Sequence, residues 1–147
     1  MVIQEKKIKK IAVVGMGVIG DLVATMCRIH GYDVIGIDNR KLKSATTIRR
    51  GDVADKEFMS NVLEDCDAII SCLPYNLTRF VVEAAFDKGI HYFDATEDVQ
   101  MTNYIKDKAK NARGAMVPQC GLAPGFIGIV ASHLAQGFKK IDTIKMR

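Results

Sequence analysis

Ile11-Ala12-Val13-Val14-Gly15-Met16-Gly17-Val18-Ile19-Gly20 is the stretch that decides the fold. Its first four residues form a continuous apolar run, the pattern of a strand buried on both faces. The three glycines that follow are spaced GxGxxG. Alone, that spacing is a weak signal, because glycines are common in any turn. Here it leaves a predicted strand, opens a predicted helix and is succeeded by Asp38 at the end of a second predicted strand. That is the context a dinucleotide-binding turn requires. Gly15 permits the tight turn, Gly17 lets the backbone approach a pyrophosphate, and Gly20 lets helix and strand pack closely. Met16, Val18 and Ile19 complete the loop, whose unpaired N–H groups and helix dipole suit phosphate charge.

Working outward, Asp38 stands where a carboxylate accepts hydrogen bonds from both adenosine ribose hydroxyls and disfavours a 2′-phosphate. Arg40 is a residue type that accommodates that phosphate. Asp38, Asn39 and Arg40 are therefore the expected adenosine side of the site. NAD is the expected cofactor, with NADP left open by Arg40.

The rest of the chain alternates short apolar runs with helical-period segments, as in a parallel sheet covered by helices. Val18, Ile19, Leu22, Val23, Met26 and Cys27 make one helical stripe ending at Gly31. Strands are expected at Asp33–Ile37, weakly at Thr46–Ile48, and at Ala68–Cys72, His91–Asp94 and Ala115–Pro118. One helical turn is expected within Lys41–Arg50. Longer helices are expected at Asp55–Glu64, from Leu77 to Gly89, from Met101 to Gly114, and at Phe126–Gln136. Lys140–Met146 alternates like the start of a further strand. The predicted class is α/β, a doubly wound parallel sheet of the Rossmann type.

That topology sets strands one and four side by side, so the loops leaving them face each other across a crevice. Ser71, Cys72, Leu73, Pro74 and Tyr75 therefore join the expected cofactor site. Pro74 holds this loop extended, and Tyr75 offers a hydroxyl and a flat apolar face. Asp94 ends the fifth strand on the same edge. Cys120-Gly121-Leu122-Ala123-Pro124-Gly125 follows the sixth, and its glycines and proline demand unusual backbone shape.

Composition narrows the class. Hydrophobic residues make up 48% and charged ones 26%, as in a globular domain. The net charge of +4 comes largely from Lys6, Lys7, Lys9 and Lys10, ahead of the first strand. The folded body is left nearly neutral, which argues against a nucleic-acid partner. The four cysteines show no CxxC pair and no zinc spacing. No metal site, secretory signal or membrane span is expected, and the reading is a cytoplasmic protein with reduced thiols.

With these segments quoted, the chain resembles the saccharopine dehydrogenase superfamily. The resemblance runs from about Ile8 to the end. It rests on Val14–Gly20, on Gly51-Asp52-Val53-Ala54-Asp55, on Asp67-Ala68-Ile69-Ile70-Ser71-Cys72-Leu73-Pro74-Tyr75, on Gly89–Asp94 and on Cys120–Gly125. The first is generic; Leu73-Pro74-Tyr75 and Cys120–Gly125 are far more specific. It implies NAD(P)-dependent hydride transfer at the C–N bond of an amino-acid-type substrate. Asp52 and Val53 join the cofactor contacts on this reading, and Asp94 and Cys120 become candidate catalytic groups near the nicotinamide. It also implies a second, substrate-binding and dimerising domain beyond this chain. The expected division is a basic tail over 1–10, the dinucleotide-binding domain over 11–125, and a linker helix with the start of the second domain over 126–147. An isolated chain would then bind cofactor without turnover and self-associate as a homodimer through apolar faces including Phe126, Ile127, Val130 and Phe138. The alternative is a nucleotide-sensing regulatory module of the potassium channel and transporter type, which shares the glycine turn, the acid and a Gly-Asp turn.

Overall fold

The structure is a computed structural model that describes residues 7–145. Lys6 and Met146, which belong to expectations above, lie outside the described residues. Six parallel strands form one sheet: β1 (Lys10–Val14), β2 (Asp33–Asp38), β3 (Thr47–Arg50), β4 (Ala68–Ser71), β5 (His91–Asp94) and β6 (Met116–Val117). Their spatial order is β3-β2-β1-β4-β5-β6, so the order reverses between β1 and β4 and opens a crevice there. The register aligns Ile37, Val14, Ser71 and Asp94 in one row across four strands. The last residues of β1, β4 and β5 thus reach one edge together.

Helices α1 (Val18–Ile29), α2 (Lys56–Val62), α3 (Tyr75–Lys88), α4 (Val99–Ala109) and α5 (Phe126–Ala135) connect or follow the strands. Asp55 and Asp98 cap α2 and α4 by accepting from the Phe58 and Met101 N–H groups. Gly89, in the left-handed region at φ 68°, ends α3. The larger core cluster packs Val14, Ile37 and Ile69 against Met59, Val81, Val82 and Ile105 of the helices. Tyr92 is the largest fully buried side chain. Among the described residues, no helix is long and apolar enough to cross a membrane.

Three expectations differ. The apolar stripe of α1 is split: Val23 and Cys27 pack against the sheet beside the buried Gly20 and Ala24, whereas Val18, Ile19, Leu22 and Met26 point outward. The small residues win that face because they let the helix lie close to β1 and β2. Residues 41–44 form no helical turn, and β3 starts at Thr47. No strand forms in residues 140–145, since β6 is left as the sheet edge and nothing pairs beyond it. Helix α5 forms as expected but contains no buried residue. A groove of about 590 Å³ between it and the following segment is lined by Phe126, Ile127, Val130, Leu134, Phe138 and Ile141.

Ile69 is fully buried at the centre of β4, between the neighbouring strands and under the helices. Ile69→Ala is expected to lower unfolding free energy by about 2–5 kcal/mol, measured by urea denaturation followed by circular dichroism.

Candidate functional site

The turn from β1 to α1 assigns its three glycines separate physical tasks. Gly15 sits at φ 86°, where a side chain is strained. A Cβ on Gly20 would collide with the Gly15 carbonyl oxygen, so the first turn of α1 closes onto the strand end only without one. Gly17 is different. It has an ordinary extended backbone, φ −75° and ψ −162°, and no side-chain cap. A Cβ there would find nothing nearer than an Arg40 guanidinium nitrogen at 3.9 Å. The space over Gly17 is a cradle that a side chain would fill, at the N-terminus of a 12-residue helix. That combination fits a pyrophosphate, which needs close backbone approach and uncommitted N–H groups.

Asp38 ends β2 beside this turn. Its carboxylate is 4% exposed and engaged on both oxygens. The Met16 N–H donates to Oδ2 at 2.9 Å, and the Arg40 backbone N–H donates to Oδ1 at 2.9 Å. The Arg40 side chain closes a bidentate pair, Nε to Oδ1 at 2.9 Å and Nη2 to Oδ2 at 3.0 Å. These hydrogen bonds from Arg40, above all, hold the Asp38 carboxyl below its ordinary range. The Arg40 side chain is itself 60% exposed. The Met16 bond keeps the carboxylate aimed independently of the exposed Arg40 guanidinium. The Gly51 N–H donates to the Asp38 carbonyl at 3.1 Å and brings Asp52 and Val53 to the same end of the sheet. The Asp52 side chain is turned back onto the Ala54 N–H, and Val53 is buried in the core. The Asn39 carbonyl accepts from Arg50 Nε at 3.1 Å.

Across the crevice, the Cys72 N–H donates to the Val14 carbonyl at 2.8 Å, tying the β4 loop to the glycine turn. Burial pushes the Cys72 thiol up to about 11, so it is a small apolar wall rather than a thiolate. Pro74 is the N-cap residue of α3, and Tyr75 is 64% exposed rather than packed on the core. A pocket of about 400 Å³ lies here, bounded by Ile19, Ser71, Tyr75, Thr78, Asp94 and Glu97 among others.

Asp94 is buried, and both its oxygens are occupied. Tyr92 Oη donates to Oδ2 at 2.6 Å, and the N–H groups of Thr96 and Gln119 donate to Oδ1 at 3.0 and 3.2 Å. Asp94 thereby joins the loop after β5 to the loop after β6. It is built to position those loops, and its carboxylate has little capacity left to move a proton. Burial and the neighbouring Asp94 charge keep the Tyr92 hydroxyl protonated. Cys120 reaches the same region through its backbone, whose N–H donates to the Asp94 carbonyl at 2.7 Å. Its thiol lies against the Val117 and Pro118 carbonyls, at 3.4 and 3.9 Å. Burial, then Asp94, raises its pKa, which disfavours a nucleophilic role. Sequence reasoning missed Tyr92 and Gly36. Tyr92 reads as an ordinary strand residue, and Gly36 leaves the room that the Met16 side chain fills beneath the turn.

Comparison with known proteins agrees with this geometry. Residues 1–87 match the family model described as D-isomer specific 2-hydroxyacid dehydrogenase, NAD binding domain, and the chain belongs to that family. A UDP-N-acetyl-D-mannosamine dehydrogenase of Methanococcus vannielii is 34% identical over 48% of this chain and 20% of its own length. The chain thus spans about a fifth of that curated relative. Among solved structures, apo saccharopine dehydrogenase (L-Glu forming) from Saccharomyces cerevisiae has a TM-score of 0.77 at 18% identity, over 88% of this chain and 31% of that one. The Bordetella bronchiseptica enzyme WbmG in complex with NAD has a TM-score of 0.52 at 13% identity, over 63% of this chain and 39% of that one. These likenesses show a shared fold. The domain is the NAD-binding domain of a dehydrogenase, and its cofactor is NAD.

Because Gly17 has both allowed backbone angles and free space, Gly17→Val is expected to fold normally and lose NAD binding below detection by titration calorimetry. Gly20→Ala should instead lose folded structure as well, read by the same calorimetry beside a thermal melt.

Proposed function

We propose that this member of the 2-hydroxyacid dehydrogenase NAD-binding-domain family holds NAD for oxidation at the C–N bond of an amino-acid-type substrate. The observation that carries this reading is the charge of the pocket beside the glycine turn. Asp94, Glu97 and Asp98 line it, and no Lys, Arg or His does. Such a wall favours the cationic amine end of a substrate and disfavours placing a phosphate or a carboxylate against it. The sequence resemblance through Leu73-Pro74-Tyr75 and Cys120–Gly125 supports the same class. Gly15–Gly20 would take the pyrophosphate and Asp38 the adenosine ribose. NAD supplies a hydride acceptor at its nicotinamide when bound. Asp94 would act as a positioning residue for the loops around that ring.

A second reading, oxidation of a sugar nucleotide, has the 34% identical relative in its favour, though the match covers under half the chain. The nucleotide-sensing alternative is not favoured, because the matching family and this relative are named as dehydrogenases. We further propose that groups clamping the substrate come from polypeptide beyond residue 145, since α5 and its groove leave apolar side chains uncovered. The same faces support the expected homodimer.

The chain alone should bind NAD saturably and produce no NADH from lysine or saccharopine, followed by absorbance. The substrate class is tested in the full protein that carries this domain. NADH formed with an amino-acid amine and not with UDP-N-acetyl-D-mannosamine supports the proposal, and the reverse result overturns it. Asp38→Ala should weaken NAD at least tenfold and shift preference towards NADP. Hydrogen bonds to a charged acceptor are worth about 1.5–3 kcal/mol.

A further inference from the structure

The acceptor sites of Asp38 are fully spent within the chain. A carboxylate offers about four lone-pair sites. Oδ1 accepts from the Arg40 N–H and Nε, and Oδ2 accepts from the Met16 N–H and Arg40 Nη2. The two backbone donors are held by the turn after β1 and by the chain beside Asp38 itself. Only the two guanidinium bonds can be exchanged, and a ribose diol needs two acceptor sites. The guanidinium also borders the glycine turn. Its Nη2 is the nearest atom to the place of a Cβ on Gly17, at 3.9 Å. One side chain thus covers the diol acceptor and the edge of the phosphate cradle together.

We propose that Arg40 is a specificity-determining residue that acts against NAD: its guanidinium is a tethered competitor of the ribose diol for Asp38, and NAD binds by displacing it. The inference rests on Asp38 receiving the adenosine ribose. The Arg40 side chain is 60% exposed, so water replaces its lost bonds on release. An ion pair with so exposed a partner is worth at most about fivefold in an equilibrium. The competition therefore taxes NAD without excluding it.

For NADP the sign reverses. Its 2′ oxygen carries a phosphate, which Asp38 repels and which the displaced fork can pair with at the same corner. Arg40 thus narrows the gap between the two cofactors from both sides. Attraction of the freed cation to the pyrophosphate is common to both and cancels in their ratio. It acts through water and is screened within about 8 Å at physiological salt, so the contact competition outweighs it.

The test is calorimetric titration with NAD and with NADP, at physiological ionic strength, of the chain, Arg40→Ala, Asp38→Ala and the double variant. Arg40→Ala keeps the backbone N–H bond to Asp38, and a thermal melt checks that it folds. It should tighten NAD about threefold, within the range of an exposed ion pair, and weaken NADP. In the Asp38→Ala background the same substitution should no longer tighten NAD. An Arg40→Ala variant whose NAD affinity is unchanged or weaker overturns the proposal. So does a gain that persists undiminished without Asp38. NADP affinity that does not fall in Arg40→Ala, or that is undetectable in the parent, overturns the specificity role. Undiminished NAD binding by Asp38→Ala would instead sink the ribose assignment on which the inference rests.

Discussion

Every feature of the crevice depends on how closely the first turn of α1 approaches the end of β1. The Gly15 carbonyl lies against the Cα of Gly20, with no room for a side chain between them. That contact fixes where the helix begins, and so where its unpaired N–H groups point. It also brings Met16 under the turn, where its N–H reaches Asp38 and its side chain fills the space above Gly36. The acid at the end of β2 is thus oriented by the same turn that it accompanies. A wider turn would leave the helix dipole, the carboxylate and the β4 loop unaligned.

The opposite wall depends on a different polar centre. Asp94 is buried and gathers Tyr92, Thr96 and Gln119, from β5 and two separate loops. Buried carboxylates are costly unless their oxygens are satisfied, and here the donors come from segments that would otherwise drift apart. The loop after β6 is short of apolar anchors: Leu122 is exposed, and α5 beyond it has no buried residue. Its link to Asp94 therefore matters more than it would in a well-covered loop. On the proposed reading, a residue whose sequence position suggests either orienting the cofactor or handling a proton acts as a positioning one. Position along the strand brings Asp94 to the active edge; its partners decide what it does there.

Much of this was legible in the sequence because the signals are local. The strand runs, the glycine spacing and the capping glycines act within a few residues, and β5 falls at His91–Asp94 as its pattern predicts. Strand order followed from topology, including the adjacency of β1 and β4. Contacts between distant residues were not legible. The stripe of α1 held only for Val23 and Cys27, because hydrophobicity marks what wants burial, while proximity to the sheet selected Gly20 and Ala24 for the closest contact. Ala24 is a small residue that no periodicity argument singles out. The residues at 140–145 alternate like a strand, but an alternating segment becomes one only beside a partner edge. The Arg40–Asp38 pair is local in sequence, yet its bidentate closure depends on side-chain geometry.

Charge is sorted along the crevice. At the glycine turn the helix terminus supplies partial positive charge, and the nearest acid, Asp38, is matched by Arg40. At the β4–β5 end the lining is acidic and unmatched. A dinucleotide laid across this edge carries its negative charge at the pyrophosphate, so the favourable potential for that group is confined to one half. The same partition discourages an anion from settling in the other half, where it would meet carboxylates. A neutral or cationic ring meets no such penalty. On the proposed placement of NAD, the orientation of the cofactor is set twice, by backbone shape at one end and by electrostatic exclusion at the other. Neither alone would suffice: the cradle over Gly17 admits any phosphate, and the acidic pocket accepts many cations. Together they suit a molecule with its charges in that order, as the proposed site joining the glycine turn to the distant Asp94–Asp98 loop requires.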